Sequence, residues 1–381
     1  MSSLFGATLD EIIQDAIIKN NSLASINEKI QGSAFAIEAS DNLKNPKLTI
    51  TSNSLDSNEK MSQSIVTLQQ EIPYYGKLDA EEAVATSNED LLKEQLKLLK
   101  VQLVKKIKQQ AYTLWQLQAL LGVTDEYIQL TQQNIELYES YASINSSQHM
   151  GIMKAELSLS DLRIERSKLT AQIQSTYEEL SYLASTHIDK LDIDLSIDTK
   201  PSLSELKNEL SQNPELGIED KKVALQSAKL EAISLDNYPN ISLLVGYAHR
   251  EKFDNYFNFG VGITLPIYST EDDKEQIQQA ELLSSKSKRQ DTVLLIDAKL
   301  GIYYAQMLSA YEIYHIVHDD ALPKVEHMFE LSSASVSTGA DLFKYIDVLF
   351  TKLSLEKKSI LAVASYHKNK ANIEALTGAL Q

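Results

Sequence analysis

The sequence predicts a mainly α-helical chain that is internally duplicated and that carries two pairs of β-strands. Three observations support this fold class. Apolar and polar residues alternate through Tyr238–Tyr268, long segments contain almost no proline or glycine, and both features occur once in each half of the chain. Internal repetition is strong evidence of architecture, because each copy reports the same structural unit independently of local propensity.

The segment Tyr238–Tyr268 has the period of two that marks a strand with one apolar face. The residues that share the apolar face of its two predicted strands are Ile241, Leu243, Val245, Phe257, Phe259, Val261, Ile263 and Leu265. Each strand has about 9–10 residues, which is the length that a tilted transmembrane strand needs. An ordinary hairpin of a soluble domain has the same pattern, so this segment alone leaves both interpretations open.

Helical patterns occupy most of the remaining chain. Residues 8–40 are predicted to be helical, and Thr8 with Glu11 forms the capping-box pattern at their start. From Asp79 to Ala142 there is no proline, and leucines recur three or four positions apart. A helix of about 60 residues would be roughly 90 Å long. That length is typical of a coiled coil or a helical barrel rather than of a globular domain.

The two halves repeat each other with an offset of 193 positions, which relates Pro46 to Pro239 and Pro73 to Pro266. The predicted first repeat spans 1–200, with a strand pair at 46–73 and long helices at about 79–142 and 152–185. The predicted second repeat spans 201–381, with a strand pair at 239–266 and long helices at about 271–335 and 341–376. Two strands are not stable alone and four cannot close a barrel. We therefore expect several copies of the chain to share one barrel.

Composition excludes several functional classes. The chain has 381 residues, a formal net charge of −17 and no cysteine. The negative charge argues against nucleic acid as a partner, and the missing cysteines exclude disulfides and thiolate chemistry. No run of 18 apolar residues exists, so no transmembrane helix is expected. The HExxH, P-loop and GxSxG motifs are also missing, and we predict neither an enzyme nor a cofactor.

Histidines and tyrosines are the remaining candidates for sites. His315 and His318 have a spacing that can hold a metal ion, but a solvated or lumen-facing pair is the favoured interpretation, and no metal site is predicted. Several tyrosines lie near the predicted strand ends, as the aromatic residues of membrane interfaces do. Ordinary core tyrosines are the alternative for each one. The predicted interface residues are Tyr74, Tyr75, Tyr238, Tyr256 and Tyr268.

Four segments together resemble the outer-membrane efflux protein family, the TolC-like exit ducts. They are the segments Leu68–Leu78, Asn237–Tyr247, Gly260–Tyr268 and Ser337–Glu356. Their order and spacing across the double repeat carry the resemblance, which covers essentially the whole chain. Within this family, the Gly-Lys pair of the first segment favours the heavy-metal and cation efflux branch. Between Gly339 and Asp347 the chain carries extra residues relative to the usual tip of the family.

The resemblance implies a homotrimer in which four strands per chain form a twelve-stranded barrel in outer-membrane lipid, and the long helices form an α-helical barrel in the periplasm. It implies a passive exit duct for small molecules or cations, with a periplasmic adaptor protein and an inner-membrane efflux pump as partners. The alternative is a soluble coiled-coil scaffold, or a periplasmic adaptor protein with a small β-domain. The sequence does not distinguish among metal cations, organic toxins and proteins as cargo.

The implied trimer also indicates residues for the periplasmic aperture. Asp341 and Asp347 would each form a ring of three carboxylates, and such rings attract cations and narrow a pore. Lys344 and Tyr345 lie at the same level and are candidates for contacts with neighbouring chains. For Asp341 the alternative is a favourable interaction with the dipole at a helix N-terminus.

Overall fold

A computed structural model describes residues 8–54, 61–141, 146–197, 199–200, 202–336 and 342–378. The elements of the first half are α1 (Leu9–Lys19), α2 (Asn21–Ser40), β1 (Lys47–Ser52), β2 (Gln63–Ile72), α3 (Lys77–Tyr141) and α4 (Ser146–Ala184). Those of the second half are α5 (Leu203–Glu209), α6 (Pro214–Ser234), β3 (Ile241–Arg250), β4 (Tyr256–Ile263), α7 (Thr270–His315), a π-helical turn (Ile316–Ala321), α8 (Leu322–Val336) and α9 (Leu342–Thr377).

The chain divides into two compact units. One, the sheet unit, comprises Ser25–Lys97 and Pro214–Leu294, and the other, the helical unit, comprises Met1–Ala24, Leu98–Asn213 and Leu295–Gln381. Among the residues that the structure describes, no helix combines the length and the apolar character that a membrane crossing needs.

The sheet unit contains one four-stranded antiparallel sheet with the strand order β1-β2-β3-β4. Its central ladder joins the two halves of the sequence, because β2 pairs with β3 from Gln63 opposite Arg250 to Ile72 opposite Ile241. β1 pairs with β2, and β4 pairs with β3. The strands β1 and β4 therefore each have one edge without a partner strand in this sheet.

The helical unit is held together by apolar clusters between long helices. One cluster contains Tyr127, Ile152, Ile346 and Leu349 and is formed by α3, α4 and α9. A second cluster packs α7 against α9 through residues such as Leu300 and Val363. A partly buried ion pair joins α3 to α9, with Lys108 Nζ 2.7 Å from Glu374 Oε2.

Two local predictions concern the start of α1 and the long helical segment at about 271–335. The capping box is confirmed, since the Glu11 amide donates to Thr8 Oγ1 at 3.3 Å and the Thr8 amide donates to Glu11 Oε2 at 2.8 Å. In the range 271–335, where the sequence predicts one long helix, the chain is helical throughout, and a π-helical turn at Ile316–Ala321 lies between α7 and α8. Pro323 has no amide hydrogen and its ring clashes with the preceding turn, and a wider turn accommodates both.

Candidate functional site: an exposed apolar face of the sheet

One face of the four-stranded sheet is apolar and open to its surroundings. Directly opposed residues form rows across all four strands, such as Leu48, Leu68, Val245 and Phe259. Thirteen apolar side chains of this face are between 38% and 78% exposed. They are Leu48, Ile50, Val66, Leu68, Ile72, Ile241, Leu243, Val245, Tyr247, Phe257, Phe259, Val261 and Ile263. We call this set the apolar face.

The opposite face of the sheet is mostly polar or has small residues. Its members include Thr49, Thr51, Thr67, Gln69, Glu71, Ser242, Gly246, Asn258, Gly260 and Gly262, with Ile65, Leu244 and Ala248 as apolar exceptions. The Asn258 side chain occupies the space beside Gly246, and a Cβ atom at position 246 would lie 2.0 Å from Asn258 Oδ1 unless that side chain moved. The two faces thus have opposite chemical character along every strand.

This polarity is the reverse of that of an ordinary soluble sheet. In a soluble protein the apolar face of an antiparallel sheet packs on the core and the polar face meets water. Here the apolar face is uncovered, and exposed apolar patches of this kind mark contact with a membrane or another protein. The ten residues of β2 and β3 span about 34 Å, or about 25 Å along the membrane normal at the tilt of barrel strands.

Aromatic residues lie at both ends of the sheet. Tyr74, which follows β2, stacks on Tyr238, which precedes β3, with ring centroids 4.6 Å apart. Tyr75 and Tyr268 at the same end are 89% and 85% exposed. Tyr256, at the other end, lies on the polar face opposite Ala248 and carries the Arg250 guanidinium over its ring.

A polar network at the end of the sheet nearest Tyr74 connects the two repeats. The Lys77 ammonium is nearly buried and donates to the Tyr238 carbonyl at 3.0 Å and to Asn240 Oδ1 at 2.9 Å, and it lies 3.4 Å from Asp236 Oδ1. Asn240 in turn donates to Glu71 Oε1 at 2.8 Å. Gly76 permits this arrangement, since its φ of +84° reverses the chain between β2 and α3.

The sequence indicated the Gly-Lys pair only as part of a resemblance and did not identify this network. Its hydrogen bonds join residues that are 161 to 169 positions apart along the chain, so no local pattern links them. The one sequence feature that could have indicated this network is that the two repeats place polar residues at corresponding strand ends.

Most of the predicted strand residues lie on the apolar face. Leu265 does not, because β4 ends at Ile263 and Leu265 follows the strand. Pro266 cannot donate a ladder hydrogen bond, which accounts for the end of pairing. The backbone of Thr264 still donates to the Asn240 carbonyl at 3.2 Å, and it is the last ladder-like bond of β4.

The four aperture candidates, Asp341, Lys344, Tyr345 and Asp347, differ in how exposed they are. Asp341 lies outside the described residues, whereas Lys344 and Asp347 are exposed at the start of α9. Tyr345 is only 4% exposed and belongs to the apolar cluster around Tyr127. Asn134 donates a hydrogen bond to the Tyr345 hydroxyl at 3.2 Å, and burial raises the pKa of Tyr345. Tyr345 therefore packs within its own chain.

The described residues contain no group of three or more histidine, aspartate or glutamate side chains that could hold a metal ion. His315 Nδ1 lies 2.8 Å from Asp319 Oδ2, and His318 stacks on Tyr314 with ring centroids 5.3 Å apart. Tyr314 also contacts the ring of His315, with ring centroids 5.5 Å apart, so both histidines pack against this tyrosine.

Comparison with known proteins gives matches of structure only. No family model matches the sequence, and no curated protein matches it. The CmeC outer membrane channel of Campylobacter jejuni superimposes with a TM-score of 0.81 at 12% identity, over 97% of this chain and 85% of that chain. The outer membrane protein VceC of Vibrio cholerae gives a TM-score of 0.80 at 14% identity, over 98% and 97% of the two chains.

A third match is the MtrE outer membrane channel of Neisseria gonorrhoeae in its open state, with a TM-score of 0.81 at 13% identity, over 97% of this chain and 89% of that chain. The chain has the outer-membrane channel fold. The fold that the sequence resemblance predicted, a mainly helical chain with four strands, is thereby confirmed.

Proposed function

We propose that the chain is the outer-membrane channel of a tripartite efflux or secretion system. In this proposal it is a passive exit duct for small molecules or cations, and a partner inner-membrane pump drives transport through it. The single observation that carries the proposal is the sheet with an exposed apolar face and a polar opposite face. In a transmembrane barrel the apolar residues face lipid and the alternating residues face the lumen.

The sheet is also incomplete by itself, which supports a homotrimer. Backbone groups in a membrane must be paired within a closed barrel, whereas β1 and β4 each have one edge without a partner strand in this sheet. Pairing β4 of one protomer with β1 of the next, three times, gives twelve strands and leaves no open edge. Each chain would then supply four strands, two from each of the proposed repeats 1–200 and 201–381.

Exposed apolar residues on the helices support the same assembly. On α4, Met150, Met153, Leu157 and Ile164 recur at helical spacing, and each is more than half exposed. Such a stripe is typical of a helix that packs against another helix. We propose that neighbouring protomers cover such stripes in an α-helical barrel that extends into the periplasm, where an adaptor protein and the pump bind.

The proposed lumen provides roles for two of the aperture candidates. Asp347 and Lys344 are exposed at the start of α9, and in a trimer each would form a ring of three like charges. A ring of carboxylates favours cations in a pore. Asp341 is proposed at the same level on the basis of the sequence resemblance. Tyr345 is proposed to hold the start of α9 in place through its core contacts.

The alternative, a soluble coiled-coil scaffold or adaptor protein, predicts a polar environment around the sheet. Nothing in the sheet favours it, because an adaptor in water would have to cover the apolar face, and no described element of the chain does so.

The decisive experiment is expression with a signal peptide in a Gram-negative host, followed by membrane fractionation and electrophoresis with and without heating. The expected result is a trimer in the outer-membrane fraction that dissociates on heating and conducts ions after reconstitution in planar bilayers. A monomer in the soluble fraction would contradict the proposal. Efflux assays with toxic cations and with organic compounds in a strain lacking the duct would then identify the class of cargo.

A further inference from the structure

A closed barrel of several chains would contain two kinds of seam between the repeats. One seam, between β2 and β3, lies within the chain, and its register is known. The other seam joins β4 of one protomer to β1 of the next. The proposed repeat of 193 positions relates β2 to β4 and β1 to β3. The seam within the chain is therefore a template for the seam between protomers.

The chain leaves β2 and β4 through similar turns. Gly76 and Ser269 are 193 positions apart, and both have a positive φ, +84° and +55°. Each directly precedes the first residue of a long helix, Lys77 of α3 or Thr270 of α7. A positive φ is uncommon at serine, so its occurrence here indicates the same turn as at Gly76. Lys77 and Thr270 therefore hold corresponding places in the two seams.

The seam within the chain is closed by an ammonium group that follows its first strand. Lys77 Nζ, after β2, donates to Oδ1 of Asn240, before β3, at 2.9 Å. The seam between protomers reverses these residue types, because Thr270 stands in the place of Lys77 and Lys47 stands in the place of Asn240. Its ammonium group therefore comes from the start of β1, and we look for the acceptor at the start of α7.

Glu271 directly follows Thr270 and is the candidate for this acceptor. It is partly buried, and within the part of the chain that the structure describes it has no hydrogen bond or ion pair. It lines a polar cavity of about 230 Å³ at the end of β4. Lys77 and Asp236 also line this cavity, but they lie 3.4 Å from each other. Glu271 thus has room for a cation that its own chain does not supply.

The opposite edge of the sheet carries the complementary charge. Lys47, the first residue of β1, is exposed and has no hydrogen bond or ion pair with another described residue. Lys44 precedes it and lies 3.9 Å from Glu71 of its own chain. On the β4 edge, the first turn of α7 adds two aspartates to Glu271. Opposite charges favour the meeting of these two edges, and like charges disfavour the pairing of two identical edges.

We propose that Glu271 of one protomer forms an ion pair with Lys47 of the next, and that this pair stabilises the pairing of β4 with β1 at every seam of the ring. The ion pair rests on the proposed function, because only a ring of copies brings the two edges together. Shifting the ladder of β2 and β3 by the repeat places Ile263 opposite Ile50 of the next protomer. This register keeps the apolar side chains on one face, and it places Lys47 opposite Pro266, close to the start of α7.

Charge reversal in the full-length protein tests the ion pair. Lys47→Glu and Glu271→Lys each place like charges at every seam, and the amount of trimer left after heating to the wild-type midpoint should fall at least about fivefold. The double variant Lys47→Glu/Glu271→Lys restores opposite charges and should recover most of this loss. The matched control combines Lys47→Glu with Glu281→Lys. It places the new lysine at an exposed position about 15 Å further along α7 and should give no recovery.

Crosslinking tests the proximity of the two positions independently of their charge. The chain has no cysteine, so a Lys47→Cys/Glu271→Cys variant carries a single pair of thiols. A short bifunctional thiol reagent should join neighbouring protomers into covalent trimers that survive boiling in detergent. Lys47→Cys/Glu281→Cys is the control, and it should migrate as a monomer after the same treatment.

The outcomes distinguish the ion pair from the proposed channel. If the wild-type protein is trimeric, the failure of either the charge-reversal rescue or the crosslink would overturn the ion pair and leave the proposed channel intact. A wild-type chain that stays monomeric in the membrane would overturn both.

Discussion

Lys77 Nζ donates a hydrogen bond to Oδ1 of Asn240 at 2.9 Å, although the two residues are 163 positions apart in the sequence. The first follows the strand pair of the first half, and the second precedes that of the second half. The almost fully buried ammonium of Lys77 also donates to the Tyr238 carbonyl and lies 3.4 Å from Asp236 Oδ1. These contacts hold the two chain segments in register at the end of the sheet.

Replacing Lys77 with methionine should destabilise the sheet unit. The change keeps the aliphatic stem but removes the donor to the Tyr238 carbonyl and to Asn240, and we expect a loss of about 1–3 kcal/mol in the free energy of unfolding. Thermal unfolding followed by circular dichroism in detergent measures it. Lys97→Met is the control, because Lys97 is exposed and its ion pair, with Glu94, lies within its own helix. Equal loss in both variants would contradict the role given to Lys77.

The proposed orientation of the apolar face toward lipid predicts a difference between the two faces of the sheet. Val261→Asp places a charge on the apolar face and should cost about 2 kcal/mol or more near the membrane midplane, with a larger cost for Val261→Arg. Asn258→Asp, on the same strand and the opposite face, should cost little. The yield of heat-dissociable trimer in the outer membrane is the measurement. Similar tolerance at both positions would show that both faces meet water.

Two glycines should respond to alanine in opposite directions. Gly76 has a φ of +84°, and alanine there should cost about 1–2 kcal/mol because Cβ disfavours the left-handed region. Gly122 lies inside α3, and an added Cβ meets no atom within 4 Å. Gly122→Ala should therefore stabilise the protein by up to about 1 kcal/mol. Thermal unfolding of the two variants provides the comparison, and a stabilised Gly76→Ala would refute the strained turn.

The close approach of Gly246 and Asn258 predicts a rescue. Gly246→Ala should cost about 1–3 kcal/mol, because the new methyl group overlaps the Asn258 side chain. Adding Asn258→Ala should recover most of that loss, since the obstructing atoms are removed. Gly262→Ala is the matched control on the same face, where Cβ would be 3.5 Å from Ser242 Cβ. A double variant less stable than the single would contradict the steric explanation.

The proposed aperture gives a prediction for conduction. Asp347→Asn removes three charges from a trimeric pore and should lower the preference for cations over anions in single-channel recordings. Asp194→Asn makes the same change at an exposed position of the segment between α4 and α5 and should leave selectivity unaltered. Unchanged selectivity in Asp347→Asn would place that side chain outside the conduction path.

The helices and strands could be predicted because their signals are local. Alternation in β3 and β4 extends over eight to ten residues, and the periodicity of α3 extends over many turns. The end of β4 at Ile263 was harder to predict from the sequence, because it depends on where β4 stops pairing with β3, just before Pro266. The π-helical turn before Pro323 depends on how a long helix accommodates one missing amide hydrogen.

The site was predicted where it depends on periodicity and missed where it depends on distant contacts. The part of the apolar face on β3 and β4 followed from alternation, whereas the part on β1 and β2, and the exposure of the whole face, became visible only in the structure. Tyr345 was expected at the aperture, but its place in the core depends on Asn134, which is 211 positions away. The Lys77 network consists of contacts of the same long-range kind.

The central ladder of the sheet has a consequence for biosynthesis. β2 is synthesised early, yet its partner β3 leaves the ribosome only after the intervening helices have been translated, as the 169-position separation of Glu71 and Asn240 shows. During that interval β2 and its neighbour form a two-stranded hairpin, which is marginal in water. A nascent chain that stops before Ile263 thus exposes apolar, incompletely paired strands, and under the proposed function it would need a chaperone until translation is complete.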